Sequence, residues 1–179
     1  MTPAPQRSIS PFAWALLILL ALIWGGSFLS NRAAVVSVPV FTVVAFRVAG
    51  AAAALWLYIL VRGLPMPPRD RVASLVIMGI TNNVIPFSLI VWGQQHIASG
   101  LAGILNASTA IFTVLLVAVI FPDERLTARK ALGVAIGFAG VILAIGPEEL
   151  RALDLTSLGQ IAIVGAASFY AISGAFARK

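Results

Sequence analysis

The sequence contains no cysteine and a single histidine. Without cysteine there is no disulfide, no thiolate metal site and no thiol nucleophile. One histidine cannot supply the paired imidazoles of a zinc centre. Charge is nearly as scarce: Lys, Arg, Asp and Glu make up 10% of the 179 residues, against about 25% in a soluble domain. So little charge cannot clothe a water-exposed surface, which weighs against a soluble globular domain. Disorder is excluded too, because 60% of the residues are hydrophobic and disordered chains are poor in apolar side chains. No glycine-rich nucleotide-binding loop occurs, so neither ATP drive nor any cofactor is expected.

What the sequence does contain is long apolar runs. The mean hydropathy is +1.03, and a bilayer core of about 30 Å asks for around 20 helical residues at 1.5 Å each. Six segments meet that length, approximately Phe12–Ser30, Val40–Val61, Val72–Trp92, Leu101–Phe121, Ala131–Ile145 and Leu158–Ala177. The fold class expected is therefore an all-α integral membrane protein with six transmembrane helices. The first run is too long for a signal peptide, and no small-residue cleavage site follows it. Short connectors carrying breakers separate the runs, among them Val38-Pro39, Leu64 to Pro68, and Gly146-Pro147.

The net charge of +6 would suggest nucleic acid in a soluble protein. Here the basic residues fall between apolar runs and are read as topology signals, and no nucleic-acid partner is expected. One side carries nine: Arg7, Arg62, Arg69, Arg71, Arg125, Arg129, Lys130, Arg178 and Lys179. The other carries two, Arg32 and Arg151. That bias places the N-terminus and residue 179 in the cytoplasm of a multi-pass bacterial inner-membrane protein.

Polar groups at membrane depth are costly and mark candidate sites. All six acids, Asp70, Asp123, Glu124, Glu148, Glu149 and Asp154, lie in connectors, which disfavours a proton relay through a membrane carboxylate. Arg47 is the one charge well inside a span. It reads either as an anion contact facing a cavity or as an arginine snorkelling to the outer interface. In the third span, Pro86 deprives the carbonyl of Asn82 of its helical donor. Thr81, Asn82 and Asn83 thus gather polar groups near mid-membrane, either lining a substrate path or bracing a kink. Asn106, Thr109 and Thr113 share one face of the fourth span, as a polar cavity wall or as a close-packing face. Trp24 sits mid-span beside Gly25-Gly26, a pair at which a helix can bend; it either walls a cavity or simply packs. Trp14, Trp56, Tyr58 and Trp92 read as belt aromatics near span ends, and His96 as a solvated connector residue. Gly133, Gly137 and Gly140 form a small-residue stripe suited to a helix seam.

An offset of 146 residues lays the first span over the sixth, pairing Ala21 with Ala167, Trp24 with Tyr170, Ser27 with Ser173 and Arg32 with Arg178. A five-span unit returns the chain to the opposite side, so a second copy must be inverted. Ile23 to Phe28 (Ile-Trp-Gly-Gly-Ser-Phe), Phe46-Arg47, and Asp123 to Thr127 followed by Ala131-Leu132-Gly133 and Gly137, Gly140 and Gly146 carry a resemblance. Together they resemble the EamA family of the drug/metabolite transporter superfamily, and Gly159 to Arg178 resembles the first helix of its second repeat. The resemblance implies a cytoplasmic tail over 1–11, a five-helix repeat over 12–146, an outer connector over 147–157 and the first helix of an inverted second repeat over 158–179. It also implies a non-enzymatic secondary carrier exporting amino acids, small metabolites or drugs by alternating access. The partners expected are a small-molecule substrate and membrane lipid.

Positions matching the cavity-facing helices of that family are Trp24, Asn82, Asn83 and Asn106. Arg47 and Thr109 complete the candidate substrate-binding set. Four helices of a ten-helix carrier are absent from this sequence, so it reads as a fragment or as a chain that assembles with a second copy or the missing helices. Two alternatives remain: an inactive truncated membrane protein, and a small dimeric multidrug pump. The latter would want a membrane carboxylate that this chain lacks.

Overall fold

The computed structural model describes residues 9–121 and 126–178. Arg7, Asp123, Glu124, Arg125 and Lys179, used above for topology and resemblance, lie outside the described residues. Within them every regular element is helical and no strand occurs. Six stretches are long and apolar enough to cross a membrane: Pro11–Ala34, Val40–Arg62, Arg69–Gly93, Ser99–Ile120, Ala128–Ile145 and Leu158–Ala177. These are the six expected spans. The fifth gains a full turn at its start because the Thr127 hydroxyl accepts from the Lys130 N–H and caps the helix at Ala128.

The first two spans are single helices, α1 (Pro11–Ala34) and α2 (Val40–Arg62). Ser10 caps α1 by accepting from the Ala13 N–H, with Pro11 at the first helical position. Gly63 ends α2 in the left-handed conformation, φ 60°, where a residue without Cβ avoids strain. The third span is compound. A 3-10 turn at Arg69–Arg71 leads into α3 (Val72–Gly79), a π-helical turn (Ile80–Val84) and α4 (Ile85–Gly93). Pro86 is the cause: its ring would clash with the carbonyl four residues back. Widening the preceding turn by one residue relieves that clash, and the Ile85 N–H reaches back to the Ile80 carbonyl. The expected kink is thus a π turn, a feature concentrated at functional sites.

The fourth span divides at Ser108 into α5 (Ser99–Ala107) and α6 (Thr109–Ile120). Ser108 and Thr109 turn their hydroxyls back onto the Leu105 and Asn106 carbonyls, a local bond that competes with the helix. The fifth and sixth spans are α7 (Ala128–Ile145) and α8 (Leu158–Ala177). Helix α8 is central and packs on α4, α5, α6 and the π turn; α2 lies against α4, α1 against α5, and α7 against α5 and α6. Lipid tails are as apolar as leucine, so close packing and polar contacts hold such a bundle.

Helices α4 and α8 approach closely at the outer end, where Gly93 of α4 meets Gly159 of α8. A Cβ on Gly93 would stand 2.7 Å from the Gly159 carbonyl oxygen. Gly133, Gly137 and Gly140, expected to form a packing seam, meet nothing within 4 Å at their Cβ positions. The stripe faces away from the other described helices, because α7 lies at the edge of the bundle. Around the Gly93–Gly159 crossing, Ile97, Leu101, Ala102 and Ile163 form the core, with Phe28 of α1 and Leu105 against them.

Candidate functional site

Three residues of α1, Trp24, Ser27 and Asn31, are spaced three and four apart and so share a helical face. Arg47 of α2 reaches that face. Its Nη1 donates to Ser27 Oγ at 2.5 Å and to Asn31 Oδ1 at 3.3 Å. The guanidinium carbon also lies 4.3 Å from the Phe87 ring centroid on α4 and 6.0 Å from that of Trp24. Placing an arginine at mid-membrane costs about 2.5–3.5 kcal/mol. Two hydrogen bonds to a charged donor, at about 1.5 kcal/mol each, with about 1 kcal/mol of cation–π attraction, offset that cost. Arg47 therefore does not need to snorkel, and it ties α1, α2 and α4 together. Its Nε and Nη2 have no hydrogen-bond partner among the described residues.

Trp24 links this group to α8. Its ring makes edge contacts with Phe87 at 6.3 Å and with Tyr170 at 6.4 Å between centroids. Trp24 and Tyr170 are the pair brought into register by the 146-residue offset. The Tyr170 hydroxyl is buried without a partner. Trp24, Ser27, Phe28, Asn31, Arg47, Phe87 and Ile90 enclose a cavity of about 10 Å³, room for about one water. The larger hollows, such as the 330 Å³ groove between α6 and α8, are lined almost wholly by aliphatic and aromatic side chains and offer little to orient a polar solute.

The remaining candidates lie elsewhere. Asn82 and Asn83 are on the π turn, half-buried, and their side chains make no hydrogen bond among the described residues. Beside them Thr81 donates to the Ile77 carbonyl at 2.8 Å, and its hydroxyl oxygen lies 3.4 Å from Ser173 Oγ of α8. Asn106 ends on a buried amide oxygen with no partner, next to the Ser108 break. Thr109 donates to the Asn106 carbonyl. The structure joins Trp24 to Arg47 directly, and no hydrogen bond or ring contact joins either to Asn106 or Thr109.

Several participants were missed at the sequence level: Asn31, Phe87, Tyr170 as a contact partner, and Gln94. The spacing of Trp24, Ser27 and Asn31 could have found the first, and the 146-residue offset that pairs Trp24 with Tyr170 the third. Trp14, Trp56, Tyr58 and Trp92 are exposed, as belt residues are, and His96 stacks edge-on to Trp92 at 4.7 Å.

Six apolar helices with neutral polar groups and one arginine at depth define a multi-pass inner-membrane protein. Its sequence matches the EamA-like transporter family over residues 12–146, and the chain belongs to that family. It is 30% identical over 159 residues to "Protein PagO" of Salmonella typhimurium, covering 88% of this chain and 52% of PagO. A "Probable terminal-alkyne amino-acid exporter" of Streptantibioticus cattleyicolor is 29% identical over 144 residues, 80% of this chain and 48% of that protein. The "Uncharacterized inner membrane transporter YedA" of Escherichia coli K12 is 27% identical over 143 residues, 76% of this chain and 44% of YedA. The chain spans about half the length of the curated relatives it matches. No solved structure matches it.

Proposed function

We propose that this chain forms the first five-helix repeat and the opening helix of an inverted second repeat in a secondary carrier. That carrier exports amino acids, small metabolites or drugs by alternating access, and it is not an enzyme. The observation that carries the reading is the edge contact between Trp24 and Tyr170. Residues equivalent by an inverted repeat lie across a pseudo-two-fold axis in the membrane plane, and carriers of this kind bind substrate near that axis. Arg47, beside the pair, supplies a cation for an anionic group, and Trp24 supplies an apolar wall. Asn82, Asn83, Asn106 and Thr109 supply hydrogen bonds along the path. The amino-acid exporter among the relatives supports the substrate range.

The test uses the full-length protein in a strain lacking its own amino-acid exporters, challenged with toxic amino-acid analogues and drugs. Asn82→Leu and Asn106→Leu are expected to abolish the resistance it confers, with membrane insertion unchanged. Unchanged resistance in both variants overturns the assignment of these amides to the substrate path.

A further inference from the structure

The outer end of α1 is fastened by a group distinct from the Arg47 cluster. Arg32, near the end of α1, donates to the backbone carbonyl of Gln94. The Gln94 side chain reaches the other way: Nε2 donates to the Phe28 carbonyl of α1 at 2.8 Å and to Ser99 Oγ of α5 at 3.3 Å. Ser99 Oγ donates in turn to the same Phe28 carbonyl at 3.4 Å. Gln94 is fully buried although it lies in the turn between α4 and α5. Its remaining oxygen, Oε1, has no partner.

We infer that Gln94, with Ser99 and Arg32, is the outer gate of the carrier proposed above: a hydrogen-bonded latch that seals the Trp24–Arg47 cavity from the periplasm. The inference rests on that transport reading. Three features support it. The latch lies on the side marked outer by the scarcity of Lys and Arg, and the cavity lies immediately inward of it, with Ile90 one turn before Gln94 on the same helix. Among the described residues, α1 is held from Trp24 outward: every residue from Phe12 to Ile23 is exposed except half-buried Ala13, whereas Trp24 makes its ring contacts and Ser27, Phe28 and Asn31 are covered. Within the held part stand Gly25 and Gly26, at which an added Cβ would meet nothing within 4 Å, a place where a helix can bend without a clash. The orphaned Oε1 adds a physical reason for opening. A buried acceptor without a donor is costly, and water entering through an opened gate satisfies it.

Gln94, Ser99 and Arg32 are positioning residues, so the test reads accessibility. The chain has no cysteine, and Ile90→Cys places a reporter at a cavity position 4% exposed. Ala175→Cys places a second at the inner end of α8, also 4% exposed. A membrane-impermeant maleimide is applied from the periplasmic side to the full-length protein in spheroplasts. Gln94→Met with Ser99→Ala keeps the side-chain bulk and removes the latch bonds. It is expected to raise the labelling rate at position 90 more than tenfold and leave position 175 unchanged. An unchanged rate at position 90 overturns the gate, and an equal rise at both positions overturns it as general loosening. Labelling needs no substrate, so the export assay can fail while the latch result stands, and the reverse.

Discussion

The Gly93–Gly159 crossing gives the sharpest energetic expectation in the fold. Gly93→Ala adds one methyl group, which would lie 2.7 Å from the Gly159 carbonyl oxygen and 2.8 Å from Cγ1 of Ile163. Neither neighbour can yield. Gly159 lies in the first turn of α8, and the next residue, Gln160, is bound to the connector by the Ala152 carbonyl and the Asp154 N–H. Ile163 is fully buried in the core. Helices α4 and α8 must therefore separate, breaking the contacts that seat Ile97 and Leu101. Overpacking of this kind costs about 1–3 kcal/mol. Alanine's advantage over glycine is at most about 1 kcal/mol in a helix interior, and it is smaller at Gly93, the last residue of α4. The net loss is about 1–2 kcal/mol, or roughly 2–8 °C in Tm for a chain of this size. Thermal unfolding of the purified protein in detergent, followed by tryptophan fluorescence, reads it. Gly137→Ala is the control, because its added methyl meets nothing, and its Tm is expected to hold or rise. A Gly93→Ala variant as stable as the parent would refute the close-approach argument, as would an equal fall in Gly137→Ala.

Two other expectations concern the Arg47 group and the outer connector. Phe87→Leu should lose about 1 kcal/mol of cation–π attraction on top of its ring contact with Trp24, and only the former should vanish once Arg47→Leu is present, so a double-mutant cycle should give a coupling near 1 kcal/mol; additivity within about 0.3 kcal/mol would refute the contact. In the connector, the Thr156 hydroxyl and N–H donate to Asp154 Oδ1 at 2.7 and 2.9 Å, and these bonds hold the carboxyl below its usual range, the hydroxyl bond contributing most. A lowered carboxyl stabilises the turn at every pH above its ordinary range and loses that effect as pH falls through the lowered value. Protection of the Thr156 amide against exchange should therefore be constant near neutrality and fall only below about pH 4, whereas Asp154→Ala should lack it throughout.

The helices were legible because lipid imposes one simple rule. A span must be long, apolar and helical, and all six were visible in hydropathy alone. The candidate site was legible only where a residue violated that rule. Arg47, Asn82 and Asn83 are conspicuous as polar groups inside apolar runs, and Pro86 announced the disturbance that the structure resolves as a π turn. Gln94 escaped notice because it sits in a turn, where a glutamine is unremarkable; its burial follows from the close crossing of α4 and α8, which no local pattern reveals. The stripe of Gly133, Gly137 and Gly140, by contrast, meets none of the described helices. Small residues permit close approach but do not specify a partner, and the glycines that carry the crossing, Gly93 and Gly159, belong to no repeated spacing. Tertiary placement decided which small residues mattered.

The neutrality of Arg47's partners bears on what such a cavity could accept. Ser27 and Asn31 satisfy hydrogen-bonding capacity without cancelling charge, and the one carboxylate within a described span, Asp70, stands exposed at the far end of the third. A fixed aspartate at the same distance would close the guanidinium into an ion pair whose separation leaves a buried charge uncompensated. With hydroxyl, amide and ring partners, the cation stays oriented while its field remains available, and two of its nitrogens have no partner among the described residues. Two unit charges 4 Å apart at an effective dielectric of about 20 interact by about 4 kcal/mol. On the transport reading, that field favours a solute bringing an anionic group and opposes one bringing only a cation, while Trp24, Phe87 and Tyr170 favour an apolar body. The cavity of about 10 Å³ holds neither in this arrangement, and on the same transport reading a bend at Gly25-Gly26 with release of Gln94 is the movement that admits one.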